Sequence, residues 1–216
     1  MSERNTGTNA SEKIAASRTF ANLKNRFKLD KKSVLDIGSS GGLYLAHFGA
    51  GSMGVTIIPE HVSEASARGL SVVQGNIEDS EFSLPRTFEV AWANNLFEHM
   101  NSPHLFLMKA RELVREDGLL ILGVPVVPFL SFLTRFKKFR GAYAASHVNF
   151  FTRKSLLETV RAGGWEVEEA RSFYFQNKMI DAFMNLVAPH IYVIAHPTKS
   201  FTYPNKRLLS LQGYEN

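Results

Sequence analysis

The chain opens polar and then turns amphipathic. From Ser11 to Leu29, SEKIAASRTFANLKNRFKL, the apolar residues Ile14, Phe20, Leu23 and Phe27 recur at helical spacing, which predicts an amphipathic helix. Beyond it the pattern changes to short β-branched runs at Val34–Ile37, Gly54–Ile58, Leu70–Gln74, Phe88–Ala93 and Leu119–Val124. Helical stretches at Gly42–Phe48, Pro59–Arg68 and His104–Arg115 separate several of them. Pro59 suits a first helical turn, and Glu116–Gly118 reads as a helix stop feeding the next strand. Strands alternating with helices in this way predict an α/β fold, a mostly parallel sheet covered on both faces. Such sheets bind ligands beyond the carboxyl ends of their strands.

The last third reads as a helix, a Gly163–Gly164 break and a strand over Trp165–Phe175, with His190–Pro197 expected as an antiparallel strand at the sheet edge. Residues 125–146 form an insertion after the fifth strand. Within it, PFLSFLTRFKKFR sets Phe129, Phe132, Leu133, Phe136 and Phe139 near one helical face, with Arg135, Lys137, Lys138 and Arg140 largely outside it. Such a segment serves as a helical lid burying its aromatic face, or rests on an anionic membrane surface; the two roles are compatible. Nucleic acid ranks third, because the basic residues are few and localised. Residues 1–10 are expected to be disordered, 11–200 to form one domain, and 201–216 to be a polar tail.

Composition narrows the chemistry. The 216 residues contain no Cys, which removes disulfides, thiolate metal sites and Cys nucleophiles and fits a reducing, cytoplasmic setting. No metal site is read from the sequence. No signal-peptide core and no run of about 18 apolar residues appears. Lys and Arg total 25 against 20 acids, a diffuse excess that says little about a polyanionic partner.

The candidate site begins in VLDIGSSGG, Val34–Gly42, a strand ending in an acid followed by a glycine-serine turn. Glycines let the backbone pass close to a ligand. A Walker loop is excluded, since no Lys-Ser/Thr follows, and Gly38, Gly41 and Gly42 are not spaced as G-x-G-x-x-G. The segment resembles the first motif of the class I S-adenosylmethionine-dependent methyltransferases: Asp36, Gly38 and Gly42 match, while Ser40 replaces a glycine. FEVAWANNLFEHM, LMKARELVREDGLLILGVPV and SHVNFFTRKSLLETVRAGGWEVEEA follow in the order of the small-molecule members, so the resemblance runs from about Ser33 to Phe175.

That resemblance implies a Rossmann-like, mostly parallel seven-stranded sheet and S-adenosyl-L-methionine as cofactor. It places Asp36 and the Gly38 backbone against the methionine end, and Ser40 and Gly42 in the loop. Thr56 falls where the family carries a ribose-binding carboxylate, a loss worth about 1–2 kcal/mol. Asn76 falls where an Asp meets the adenine amino group, Ile77 offers its N–H and an apolar face, and the Asn94 carbonyl faces the methionine ammonium.

Methyl transfer needs alignment and, for an alcohol acceptor, a base. His147 and His99 are the candidates; for His99 a packed imidazole beside Glu98 is an equal alternative. The expected function is methylation of a small molecule at oxygen, on a sugar, a phenol or a lipid-linked intermediate. Two alternatives stay open. One is an RNA methyltransferase; the other is a non-catalytic binding module, kept open by Thr56 and Ser40.

Overall fold

The computed structural model describes residues 12–175, 177, 179–180 and 187–203. The expectations for residues 1–10 and for the tail beyond Tyr203 lie outside the described residues. Helix α1 (Arg18–Phe27) is shorter than the sequence suggests, because Ser17 caps a fresh start by accepting the Phe20 N–H. It precedes β1 (Val34–Ile37), β2 (Met53–Thr56), α2 (Pro59–Ala67) and β3 (Val72–Gln74). Then come β4 (Phe88–Asn94), α3 (Pro103–Leu113), β5 (Val114–Val127), β6 (Phe151–Thr152), α4 (Arg153–Ala162), β7 (Trp165–Arg171) and β8 (His190–Pro197). Pro59 and Pro103 stand in the first turns of α2 and α3, and Ser102 caps α3.

The strands form one mixed sheet in the order β3-β2-β1-β4-β5-β8-β7, with the two-residue β6 added alongside β5. Pairing is parallel from β3 to β5, and β8 runs antiparallel to both neighbours. Strand β8 is therefore antiparallel as expected but not at the edge. It lies between β5 and β7, because Ile191, Val193, Ile194 and Ala195 are buried on both sides and need covered faces. Glu116–Gly118 does not end a helix. It loops out within β5, where the register passes from Phe88–Val114 to Val90–Leu119.

One face of the sheet packs on α3 and α4 through Phe106, Leu107, Ala110, Leu156 and Val160. The other packs on α1 through Phe20 and Leu23, around a fully buried Trp92. Its ring meets Phe20, Tyr44, Phe48 and Tyr192 at centroid distances of 5.2–5.8 Å.

Two expected helices are absent. Gly42–Phe48 contains a single 3₁₀ turn, Leu45–His47. Gly49 must return against the backbone of Lys31 and Lys32, where a Cβ would meet atoms at 2.6–2.8 Å, so no room remains for further turns. The insertion forms three 3₁₀ turns, Ser131–Arg135, Lys137–Phe139 and Gly141–Tyr143, instead of one amphipathic helix. Its N–H groups bond three residues back, while the Arg140 guanidinium takes the carbonyls of Thr134 and Arg135 at 3.0 Å. Its aromatic residues do not form a buried face: Phe129, Phe132 and Phe136 are 80%, 59% and 60% exposed.

Candidate active site

The loop after β1 is built from residues with left-handed backbones: Gly38 at φ 75°, Ser40 at φ 49° and Gly42 at φ 80°. The N–H groups of Gly38 and Ser39 donate to the Val55 carbonyl at 2.9 and 3.0 Å, tying the loop to β2. Gly42 turns inward, where a Cβ would meet Leu70 at 2.7 Å; it shapes the loop. Ser40 adopts a conformation that costs a non-glycine residue about 1–2 kcal/mol.

Asp36 lies at the end of β1, 2% exposed. Its carboxyl accepts the Leu45 N–H, and Oδ2 has no hydrogen-bond partner among the described residues. Burial pushes this acid up to about 7, the Leu45 hydrogen bond only partly opposing it. Burial, and then the Asp36 charge, raise Tyr44 above the usual phenol range. The Tyr44 hydroxyl accepts the Asn94 amide at 3.1 Å. Asn94 is thereby committed to the aromatic face, and its Oδ1 would collide with any side chain at Gly123.

A cavity of about 540 Å³ opens at the carboxyl ends of β1 to β4, inside the roughly 300–1,000 Å³ typical of ligand pockets. Gly38, Ser40, Thr56, Asn76 and Ile77 line it together, and His99 stands at its rim with Met100 and Asn101. Asp36, Gly42, Asn94 and His147 are not in its wall. Asn95, at φ 52°, occupies the place next to Asn94, and its Oδ1 accepts His190 Nε2–H at 2.9 Å. Burial depresses His190 to about 4, so the ring is neutral and donates from that nitrogen.

At the far corner Thr56 Oγ1 accepts the Ile58 N–H at 3.3 Å and lies 3.5 Å from His61 Nδ1. His61 also lines the cavity and escapes sequence reading, being one of several polar residues in the first turn of α2. Asn76 Oδ1 caps the Glu78 N–H at 3.0 Å, which leaves its amide NH2 and one lone pair for a ligand. The wall suits a nucleoside cofactor. Ile37, Ile77 and Leu96 are apolar, Gly38 permits close backbone approach, and an orphaned carboxyl oxygen behind the loop suits a positively charged ligand.

Glu98, His99 and His147 come together although the chain separates the last from the first two. Glu98 is 1% exposed, and neither carboxyl oxygen has a hydrogen-bond partner among the described residues. His99 Nε2 and His147 Nε2 lie 3.9 and 3.8 Å from its Oε1. The two rings meet edge to face at 4.7 Å. Their Nδ1 atoms face the carbonyls of Ser146 at 2.9 Å and Ala142 at 3.2 Å. A carbonyl only accepts, so each Nδ1 carries a proton, and in the singly protonated ring the lone pair lies on Nε2. Burial raises the Glu98 acid; the nearby Glu98 backbone N–H, and then His99 and His147, oppose that rise. Two imidazole nitrogens and a carboxyl within 4.8 Å of one another are a set that holds a proton or, with both nitrogens deprotonated, a divalent cation. The Glu98 carbonyl accepts the N–H groups of Val148 and Asn149, and the Asn149 amide donates to the Met100 carbonyl. These bonds fix His147 beside Glu98.

A profile of the family described as methyltransferase domain matches residues 9–170. The ubiquinone biosynthesis O-methyltransferase of Schizosaccharomyces pombe mitochondria is 31% identical over 104 residues, 43% of this chain and 37% of that protein. The ubiquinone biosynthesis O-methyltransferase of Azorhizobium caulinodans is 35% identical over 100 residues, 42% of this chain and 39% of that protein. The matched region thus spans under half the length of either relative. A crystal structure of an S-adenosylmethionine-dependent methyltransferase from Thermotoga maritima superimposes with a TM-score of 0.56 at 18% identity, covering 88% of this chain and 95% of that one. The chain belongs to the methyltransferase-domain family, and its fold is the one found in the S-adenosylmethionine-dependent methyltransferase on which it superimposes.

Proposed function

We propose that the protein methylates a hydroxyl oxygen of a small molecule, with the Glu98–His99–His147 cluster receiving the proton. The observation that carries this reading is a buried carboxylate facing two imidazole nitrogens, one of them at the rim of the cofactor cavity. The two O-methyltransferase relatives support oxygen as the accepting atom.

The cofactor, when bound, supplies a methyl group on a positively charged sulfur. Gly38, Ser40, Thr56, Asn76 and Ile77 would hold it, with Asp36 behind the loop. Transfer of that methyl to a hydroxyl oxygen would leave the O–H proton to be taken up by the protein. His99 takes that proton on Nε2. Glu98 stabilises the resulting imidazolium, with His147 on its other side, and the Ser146 carbonyl keeps His99 in the tautomer that can accept.

The test is a methyl-transfer assay over a panel of sugars, phenols and polyprenyl phenols, with product mass and titration calorimetry of S-adenosylhomocysteine. An O-methyl product is expected, and His99→Asn should lose about 10²–10⁴-fold in turnover with cofactor affinity unchanged. N-methyl products, or full turnover in His99→Asn, would overturn the reading. Absence of cofactor binding up to millimolar ligand would favour the non-catalytic alternative that Thr56 and Ser40 raise.

A further inference from the structure

The insertion between β5 and β6 has no helical face turned to the core, and most of its aromatic side chains point to solvent. Phe129, Phe132, Phe136, Tyr143 and Phe150 are each at least half exposed, with Val148 beside them. Scattered exposed apolar residues are ordinary; this many within one short segment mark an interaction surface. The charge pattern is as uneven. From Gly118 to Leu157 the sequence contains no Asp or Glu, while Arg135, Lys137, Lys138, Arg140, Arg153 and Lys154 are all cationic. Arg135, Lys137 and Arg140 are exposed.

We propose that this segment docks the protein onto an anionic lipid surface, its phenylalanines entering the headgroup boundary and its arginines and lysines meeting lipid phosphates. Aromatic side chains with cationic neighbours are the composition that anchors segments at such a boundary. A second copy of the chain fits less well, since a two-fold contact would set Arg135, Lys137 and Arg140 against their own counterparts with no acid in the segment to offset them. A nucleic acid would need a broader basic track than this local cluster.

The surface is continuous with the site. The segment leaves β5 at Val127 and ends at His147, whose following residues bond to the Glu98 carbonyl. Docking therefore puts the Glu98–His99–His147 cluster close to the lipid boundary, which suits an acceptor dissolved in the bilayer. The docking itself rests on neither the acceptor nor the catalytic reading, because vesicle binding needs no turnover.

Co-sedimentation with vesicles of phosphatidylcholine alone, and of phosphatidylcholine mixed with phosphatidylglycerol, tests it. The protein should pellet with the mixed vesicles at least tenfold more strongly. It should be released near 1 M salt, where the screening length is about 3 Å. Phe132→Ser with Phe136→Ser should abolish pelleting. Arg135→Gln and Lys137→Gln should each weaken it about fivefold. All these residues are exposed, so circular dichroism and melting should not change. Equal pelleting on neutral vesicles, or none on either, overturns the proposal. So does a concentration-dependent dimer by light scattering that the Phe→Ser pair dissolves. Tighter binding to RNA than to mixed vesicles would do the same and reassign the surface to nucleic acid.

Discussion

Asp36→Asn isolates the electrostatic design of the cofactor loop. The carboxyl is fully buried, keeps one oxygen without a partner among the described residues, and is raised by that burial to about 7 against an ordinary value of 3.8. A raised acid binds its proton more tightly in the folded chain than in the unfolded one. The ligand-free protein therefore loses stability as pH rises from about 4 to 7, and is stable to this effect below that window. Every tenfold gain in proton affinity on folding is worth about 1.4 kcal/mol, so the ionised side chain costs on the order of 4 kcal/mol by pH 8. Asparagine keeps the shape and never ionises. At pH 8 the variant should be the more stable protein by about 2–4 kcal/mol, which at this chain length raises the melting temperature by roughly 5–15 °C. At pH 4 the difference should shrink towards zero, and any fixed cost of the buried amide cancels from that comparison. The same variant should bind S-adenosylmethionine at least tenfold more weakly, because a carboxylate behind the loop no longer offsets the cofactor's positive charge. Differential scanning calorimetry from pH 4 to 8, with and without cofactor, measures both. Identical pH profiles for the two proteins would show that Asp36 does not titrate there and would refute the reasoning.

Further outcomes are expected at neighbouring positions. Thr56→Asp restores an acid at the corner shared with His61 and should tighten S-adenosylhomocysteine binding about tenfold by calorimetry; no gain would mean the ribose is not held at Thr56. Ser40→Gly relieves a left-handed backbone at the cost of a more flexible unfolded chain. It should raise stability by about 0.5–1 kcal/mol, read as a higher urea midpoint at unchanged slope.

The sequence made some of this legible and hid the rest for identifiable reasons. Pro59, Ser102 and Pro103 fix helix starts through local chemistry, so α2 and α3 fall close to where the pattern puts them. The Gly42–Phe48 pattern is equally helical, but Gly49 must fit against Lys32, a tertiary constraint with no local signal. The aromatic spacing of Phe129–Phe139 is helical too, yet Phe129, Phe132 and Phe136 are left exposed among the described residues and the segment settles into 3₁₀ turns. In the site, Gly38, Ser40, Thr56, Asn76 and Ile77 converge because each ends a strand or follows one, which periodicity locates. Asn95 with His190, and Glu98 with His147, meet only through the arrangement of β5, β6 and β8, and no spacing rule joins residues so far apart.

The place of β8 bears on how the chain is made. Strands β1 to β4 pair among themselves and can assemble while synthesis, at about 5–20 residues per second, is still under way. The outer edge of β5 cannot be satisfied then, because its partner is His190–Pro197, and β7 joins the sheet only through that same strand. Until β8 enters the slot between them, the β5 edge of Leu120–Pro125 presents open hydrogen-bonding groups beside apolar side chains, the kind of edge that pairs with other chains. Insertion of the last strand is thus the step that closes the sheet. A ribosome stalled before residue 190 would hold a chain with its most aggregation-prone edge exposed.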